Sequence, residues 1–182
     1  IATYEHITAH ASDDANSFYS LGVLYLNERR YEDAVAVLGE LVAIDPQHVE
    51  GYINRAVAQV YIEDFSGAEE SYKKAIAIEP AAANPHYNLG NLYWQQKNYK
   101  GALQAYTKAV ELAPADDDAL YNLAITHLAL EDMDSALPLL EQLSAQMPDN
   151  AAVWRELGRI YAIKGQIEKS KHAYDREQVL SQ

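Results

Sequence analysis

The stretch that decides the fold is residues 84–114, with the sequence NPHYNLGNLYWQQKNYKGALQAYTKAVELAP. Apolar and small residues recur in it at intervals of three and four, first from His86 and again from Ala102. This periodicity predicts two amphipathic helices, with Asn98 in the tight turn between them and Pro114 at the end of the second. Because one hairpin buries too little apolar surface to fold alone, we expect it to stack against neighbouring hairpins.

The same pattern recurs along the chain with a constant spacing. Prolines mark this period 34 residues apart, at Pro46, Pro80, Pro114 and Pro148. Alignment on them divides the chain, without insertions, into five repeats whose positions are numbered from 1: 15–48, 49–82, 83–116, 117–150 and 151–182. Residues 1–14 are expected to be the tail of a preceding partial repeat and a linker, and the fifth repeat is expected to end in a C-terminal cap.

Small residues occupy two fixed positions of the repeat. Position 8 is always glycine or alanine, and position 20 is alanine except for Ser170. Such residues allow two helices to approach closely, while large side chains at positions 4, 7, 11 and 24 fill the remaining space. Enlarging Gly90 is expected to overpack the hairpin by about 1–3 kcal/mol, and truncating Leu89 is expected to cost about 2–5 kcal/mol.

This pattern resembles the tetratricopeptide repeat (TPR) family over residues 15–182. The shared features are a large residue, Leu-Gly, Tyr, Ala, Tyr or Leu, Ala and Pro at set offsets. The resemblance implies an all-α fold, a right-handed α-solenoid (superhelix) of antiparallel helix hairpins. It also implies that the first helices line a concave groove and that the second helices form the convex side.

Composition and charge exclude several classes of partner. The net charge of −13 disfavours nucleic acids and anionic membranes, which need basic surfaces. No apolar run is long enough to span a membrane and no signal-peptide pattern is present, so we expect a soluble protein, with a cytoplasmic location favoured over a periplasmic one. Residues 151–182 contain six Lys and Arg against four Asp and Glu, whereas residues 1–150 contain eight against 23.

The sequence contains no motif that indicates catalysis, a cofactor or a metal. It has no cysteine, no Gly-rich phosphate loop, no G-x-S-x-G and no H-E-x-x-H. His6 and His10 are spaced i, i+4 but lack a third ligand nearby, and the run Asp116, Asp117, Asp118 lacks the glycine and the spaced carboxylates of a calcium loop. We therefore expect neither an enzyme nor a cofactor-binding or metal-binding protein.

Proline and capping residues predict where two helices begin. Asn84 is expected to be an N-cap and Pro85 the first helical residue, where the missing N–H costs nothing. Asp134 is expected to cap the second helix of the fourth repeat, which would place Pro138 in the first turn.

Arg55 and Gln59 depart from the packing pattern, because they take positions that are apolar or aromatic in most other repeats. One interpretation is an arginine whose stem lies on the core and whose head reaches water or a carboxylate. The other is a polar anchor beneath the groove. The sequence leaves both interpretations open.

The TPR resemblance assigns the concave surface to positions 2, 5, 6, 9, 12 and 13. Position 6 carries Asn54, Asn88 and Asn122, whose amides can both donate to and accept from an extended peptide backbone. This stripe is similar to the asparagine ladder of peptide-binding TPR proteins, although asparagine at this position is also common in the family. An apolar and aromatic wall around it is expected to mark a partner site.

Two arginines at positions 5 and 9 of the last repeat, Arg155 and Arg159, are expected to receive an acidic side chain or a terminal carboxylate. The carboxylate clamp of chaperone-tail adaptors is not expected, because the first three repeats lack Lys and Arg at the matching positions. Together these residues define the predicted groove: Tyr19, Val23, Asn54, Val57, Tyr61, Tyr87, Asn88, Asn91, Trp94, Tyr121, Asn122, Ile125, Arg155 and Arg159.

These features predict a non-catalytic scaffold that binds a peptide or helical segment of a partner protein in the predicted groove. The segment is expected to be apolar, with acidic character at the end near the fifth repeat. Two alternatives stay open. One alternative is a recognition or regulatory segment of a larger enzyme, which the absence of an initial Met favours. The other is a self-associating assembly scaffold that forms homo-oligomers.

Overall fold

The computed structural model describes residues 14–181, and all regular secondary structure in that range is α-helical. Each repeat contributes a first helix of 13 residues and a second of 14. The helices of this range are α1 (Ala15–Asn27), α2 (Tyr31–Ile44), α3 (Val49–Tyr61), α4 (Phe65–Ile78), α5 (Ala83–Gln95), α6 (Tyr99–Leu112), α7 (Asp117–Ala129), α8 (Met133–Gln146), α9 (Ala151–Ile163) and α10 (Ile167–Leu180). The predicted all-α chain of tandem helix pairs is confirmed. The predicted partial repeat and the histidine pair, His6 and His10, lie outside the described residues.

The chain divides into two compact units, Ile1–Leu92 and Tyr93–Gln182. In the first unit α1 packs on α2, α2 on α3 and α3 on α4. In the second unit consecutive helices from α6 to α10 pack in the same sequential manner. Within each unit these helices pack on their neighbours in the chain, which is how a solenoid distributes its core.

The predicted small positions lie where helices approach most closely. Residues at positions 8 and 20 are buried in every repeat. A Cβ atom added to Gly22 would lie 2.5 Å from Leu38 Cδ2, and one added to Gly158 would lie 2.8 Å from Tyr174 Cε1. Because real Cβ atoms do not come this close to other carbons, position 8 needs a small residue to admit the large side chain at position 24.

Each first helix in the described range ends in the same left-handed turn. The residue at position 15 has φ between 59° and 71°, and the N–H of position 16 donates to the carbonyl of position 11 over 2.8–2.9 Å. This is the hydrogen bond of a Schellman motif, which satisfies a carbonyl at the helix end. The left-handed residues are Arg29, Glu63, Lys97, Glu131 and Gly165.

The second helices of the three middle repeats begin with a side-chain cap. Asp64 accepts from the Gly67 N–H over 3.0 Å, Asn98 from the Gly101 N–H over 3.1 Å and Asp132 from the Ser135 N–H over 3.0 Å. Asn98 therefore lies in the turn as predicted, as the last residue before α6. These caps satisfy donors that have no partner within the helix.

Two predicted helix starts are wrong by two residues. Helix α5 begins at Ala83, so Asn84 is helical and Pro85 is the third residue of the helix. At this position a backbone N–H would have no partner within the helix, so the proline loses no hydrogen bond. Helix α8 is capped by Asp132 rather than Asp134, which instead pairs with Lys164.

Pro138 consequently lies deeper in α8 than the sequence predicts. It is an interior residue of a continuous helix, one full turn beyond Met133, rather than a residue of the first turn. A proline there removes the hydrogen bond to the carbonyl four residues back. The neighbouring Ala136 and Leu140 are fully buried, so packing holds the helix across this gap.

Candidate interaction surface

The predicted groove residues all lie on first helices, and none is part of the buried core. The positions they share fall on one face of each first helix, since successive residues are offset by about 100°. Eleven are half-buried and three are exposed. The half-buried ones are Tyr19, Val23, Asn54, Val57, Tyr87, Asn88, Asn91, Trp94, Tyr121, Asn122 and Ile125, and the exposed ones are Tyr61, Arg155 and Arg159.

In the unit Ile1–Leu92, the structure brings an asparagine and a tyrosine of adjacent repeats together. Asn54 Nδ2 donates to the Tyr19 hydroxyl over 3.3 Å, and the Tyr19 ring lies 4.9 Å from the His48 ring. Asn88 Nδ2 donates to Asn84 Oδ1 over 2.6 Å within the same helix. An amide carries two donor hydrogens and an acceptor, so one such bond leaves capacity for a ligand.

Tyr61 is the most exposed aromatic residue of this face, at 61%. Its ring stacks on that of Tyr31, with centroids 4.3 Å apart and an angle of 5° between the planes. The stack holds the Tyr61 ring in place and leaves much of it exposed to solvent. Sequence reasoning missed Tyr31 because it is the first residue of a second helix.

In the unit Tyr93–Gln182, aromatic residues of the predicted groove contact neighbouring side chains. The Trp94 ring lies 4.9 Å from the Tyr99 ring, inclined at 58°. Burial raises the pKa of the Tyr121 hydroxyl, and Glu156 raises it further while Arg155 opposes this. The Tyr121 hydroxyl therefore stays a neutral hydrogen-bond donor at physiological pH.

The two arginines proposed as carboxylate receivers already have acidic partners within the chain. Arg155 Nε and Nη2 each lie 3.3 Å from Glu177 Oε1, and Arg159 Nη1 lies 2.8 Å from Glu156 Oε2. An incoming carboxylate would compete with these contacts, which are cheap to exchange because both arginines are exposed.

Arg55 is half-buried on α3 and lines a cleft together with residues of the second helices α2 and α4. Around the helix it is about 160° from Val57 and about 100° from Asn54, so it points away from the middle of the predicted groove. Its Nε atom is buried and has no hydrogen-bond partner among the described residues, while its charge helps to lower the pKa of the Asp64 carboxyl.

Gln59, one turn beyond Arg55, belongs to a buried polar network. Its amide donates to Asp64 Oδ2 over 3.0 Å and its carbonyl oxygen accepts from Ser71 Oγ over 2.7 Å. A Cβ on Gly67 would lie 2.2 Å from the Gln59 amide nitrogen. The glycine thus leaves the space that this network occupies.

No group of His, Asp and Glu side chains within residues 14–181 is arranged to hold a metal ion. In the same range, every helix is too short or too polar to cross a bilayer.

Solved structures with the same fold support the architecture. YrrB, described as a TPR protein with an unusual peptide-binding site, aligns with a TM-score of 0.82 at 21% identity over 97% of this chain and 91% of YrrB. MamA from Desulfovibrio magneticus RS-1 aligns with a TM-score of 0.82 at 20% identity, over 93% and 96% of the two chains. PilF of Pseudomonas aeruginosa aligns with a TM-score of 0.75 at 24% identity, over 92% and 77%. At such identities the likeness concerns the fold.

Sequence comparison identifies the family directly. A search of curated proteins finds no significant match. Three family models described as tetratricopeptide repeat match residues 15–48, residues 53–117 and the overlapping segments 93–157 and 127–176. Together with the five helix hairpins of the described range, these matches show that the chain belongs to the tetratricopeptide repeat family, whose fold serves as a scaffold for protein interactions.

Proposed function

We propose that this chain is a non-catalytic scaffold that binds a peptide or helical segment of a partner protein through the predicted groove. The observation that carries the proposal is a mixed apolar and amide surface on the first helices. Its aromatic rings, such as Tyr61 and Trp94, remain accessible, and the amides of Asn54 and Asn88 retain hydrogen-bonding capacity. Accessible aromatic residues are typical of residues that dominate binding energy at interfaces.

The chemistry of this surface favours a partner segment of a particular kind. Tyr, Val and Ile side chains suit an apolar ligand, while the asparagine amides suit its backbone, which presents the same donors and acceptors in every sequence. Arg155 and Arg159 favour acidic residues at the end of the ligand near the fifth repeat, by exchange with Glu177 and Glu156. The peptide-binding site of YrrB adds support, since it occurs on the same fold.

A selected peptide provides the test. Peptides are selected from a random display library on the wild-type chain, and the dissociation constant of the best binder is measured by fluorescence anisotropy. Replacing Asn54, Asn88 and Asn122 together with Ala is expected to weaken binding by at least about tenfold, since each lost hydrogen bond contributes about 0.5–1.5 kcal/mol. Trp94→Ala tests the apolar wall separately and is expected to weaken binding as well.

A matched control replaces amides that lie outside the predicted groove. Gln104 and Gln142 are exposed on second helices, so replacing both with Ala is expected to leave the dissociation constant unchanged. Circular dichroism establishes that all variants keep their helicity. Unchanged affinity in the triple asparagine variant would refute the asparagine contribution, and failure of both variants to weaken binding would refute the groove as the binding site.

A further inference from the structure

The unit Ile1–Leu92 contains a small polar cleft between α2, α3 and α4. Its volume is about 180 Å³, the space of roughly six water molecules. It is formed by two second helices and by the side of α3 that carries positions 4, 7 and 11. The residues that line it are Val42, Tyr52, Arg55, Gln59, Gly67, Glu70, Ser71 and Lys74.

The cleft exists because the second repeat departs from the others at several positions at once. Arg55 stands where the other four repeats have leucine, and Gln59 stands where they have Tyr or His. The guanidinium packs beside Gly39 of α2, where a Cβ built on the glycine would lie 4.0 Å from both Arg55 Cζ and Nε, an ordinary contact distance. The two substitutions on α3 thus replace packing side chains with polar groups.

Two acidic side chains lie near the cations of the cleft, because Glu70 lines it and the Arg55 charge helps to lower the pKa of the Asp64 carboxyl, but no direct ion pair forms among the described residues. Within residues 14–181, neither Arg55 nor Lys74 forms an ion pair, and Arg55 Nε is buried without a hydrogen-bond partner. Gln59 and Ser71, which bond to each other, do not satisfy it. A buried donor without a partner destabilises the protein, so a ligand that accepts its hydrogen bond would recover that loss.

We propose that this cleft binds a carboxylate group, held by the Arg55 guanidinium and assisted by Lys74. The guanidinium fork, with Nε and one terminal nitrogen, matches the two oxygens of a carboxylate in a bidentate pair. The carboxyl group of Glu70 also lines the cleft, and its charge opposes a phosphate dianion more strongly than a monovalent carboxylate.

This site is separate from the predicted groove. None of the residues that line the cleft belongs to the predicted groove, and Arg55 lies about 160° around α3 from Val57. The ligand therefore occupies a different face, and the two sites can be tested independently. The carboxylate comes either from an acidic side chain of a protein or from a small organic acid.

The test observes the Arg55 Nε–H resonance by NMR while sodium acetate is added at constant ionic strength. Acetate is expected to produce a saturable shift. The variant Arg55→Leu carries the residue of the other repeats and is expected to fold. Because it lacks the Arg55 resonance, the backbone amide resonances of Gly67 and Ser71 report binding, and they are expected to show no saturable shift with acetate. Lys74→Gln is expected to weaken binding by about three- to fivefold, because one exposed charge near the ligand is lost.

Controls and a second probe separate the outcomes. Lys108 occupies the same repeat position as Lys74 but pairs with Glu111, so Lys108→Gln is expected to change nothing. The blocked tripeptides acetyl-Ala-Glu-Ala-amide and acetyl-Ala-Gln-Ala-amide distinguish the two sources. Tighter binding of the Glu peptide than of acetate supports a protein side chain, and binding of acetate alone supports a small organic acid.

Three outcomes would overturn the proposal. The first is an absence of saturable binding by acetate and by the Glu peptide, which would leave water as the occupant of the cleft. The second is equal acetate binding by wild type and Arg55→Leu. The third is tighter binding of inorganic phosphate than of acetate at the same ionic strength.

Discussion

Asp64 shows how a single side chain joins a helix end to the interior of the second repeat. One carboxylate oxygen accepts from the Gly67 N–H at the start of α4, and the other accepts from the Gln59 amide, each over 3.0 Å. The hydrogen bond from Gly67 holds the pKa of the Asp64 carboxyl below its usual range, with smaller contributions from Gln59, Ser66 and the charge of Arg55, while burial opposes the shift. The ionised form is therefore the one that the fold stabilises.

This shift predicts how the stability contributed by Asp64 depends on pH. Because the pKa is lower in the folded state, that stability is fully present above the unfolded value of about 3.9 and is lost as pH falls through the folded value. We expect Asp64→Asn to be less stable than wild type at pH 7 and the difference to shrink below about pH 4. Chemical unfolding of both proteins between pH 7 and pH 3 measures this difference.

Asparagine is a suitable replacement because Asn98 makes the same capping bond in the third repeat. The control Asp175→Asn removes the same charge at an exposed position of α10. A stability difference between Asp64→Asn and wild type that stays constant down to pH 3 would contradict the prediction.

At the level of elements, the left-handed turn at position 15 is the feature that the described repeats share most regularly. Four of its five residues carry long charged side chains, although this conformation costs an L-residue other than glycine about 1–2 kcal/mol. Only the last repeat has glycine, Gly165, at this position. The two hydrogen bonds that close the turn hold the strained residues in place.

Substitutions at this position are expected to act through the backbone alone. A Cβ at Gly165 would meet no atom within 4 Å, so Gly165→Ala is expected to destabilise the protein by about 1 kcal/mol through conformational strain. Glu131→Gly is expected to be neutral or to stabilise by up to about 1 kcal/mol, while Glu131→Ala retains the strain. Urea unfolding of the three variants measures these effects. A Gly165→Ala protein with the same free energy of unfolding as wild type would contradict the predicted backbone strain.

On the scale of the whole molecule, charge is distributed unevenly along a chain with a net charge of −13. The last repeat has an excess of basic residues, and it also carries exposed apolar side chains: Ile163 at 61%, Ile167 at 67% and Val179 at 65%. The acidic first 150 residues of a second copy are complementary to this repeat in charge. These features favour self-association as the alternative role of the scaffold.

Self-association predicts a mass that rises with protein concentration. Light scattering over a concentration series is expected to show this rise at low salt and a weaker one at high salt, because screening reduces attraction between exposed charges. Replacing Ile167 and Val179 with Ser is expected to shift the series toward the monomer. A monomer mass at every concentration would exclude this role.

Much of the fold is predictable from the sequence because repeat packing is local and periodic. Gly22 and Leu38 meet across one hairpin as Gly158 and Tyr174 do across another, so the same spacing produces the same contact. Helix number, turn positions and small buried residues all follow from that periodicity. The predicted groove is partly readable for the same reason, since its residues recur at fixed positions on an accessible helix face.

The sequence by itself therefore determined the repeat, the helix hairpins and the residues that pack them. Only the tertiary structure decided the pairing of Arg155 with Glu177, the polar cleft at Arg55 and the true starts of α5 and α8. These features depend on which groups from different helices come within hydrogen-bonding distance and on which N–H groups lack a partner. Periodicity places a residue on a face, but the contacts that its side chain makes are set by the elements packed against it.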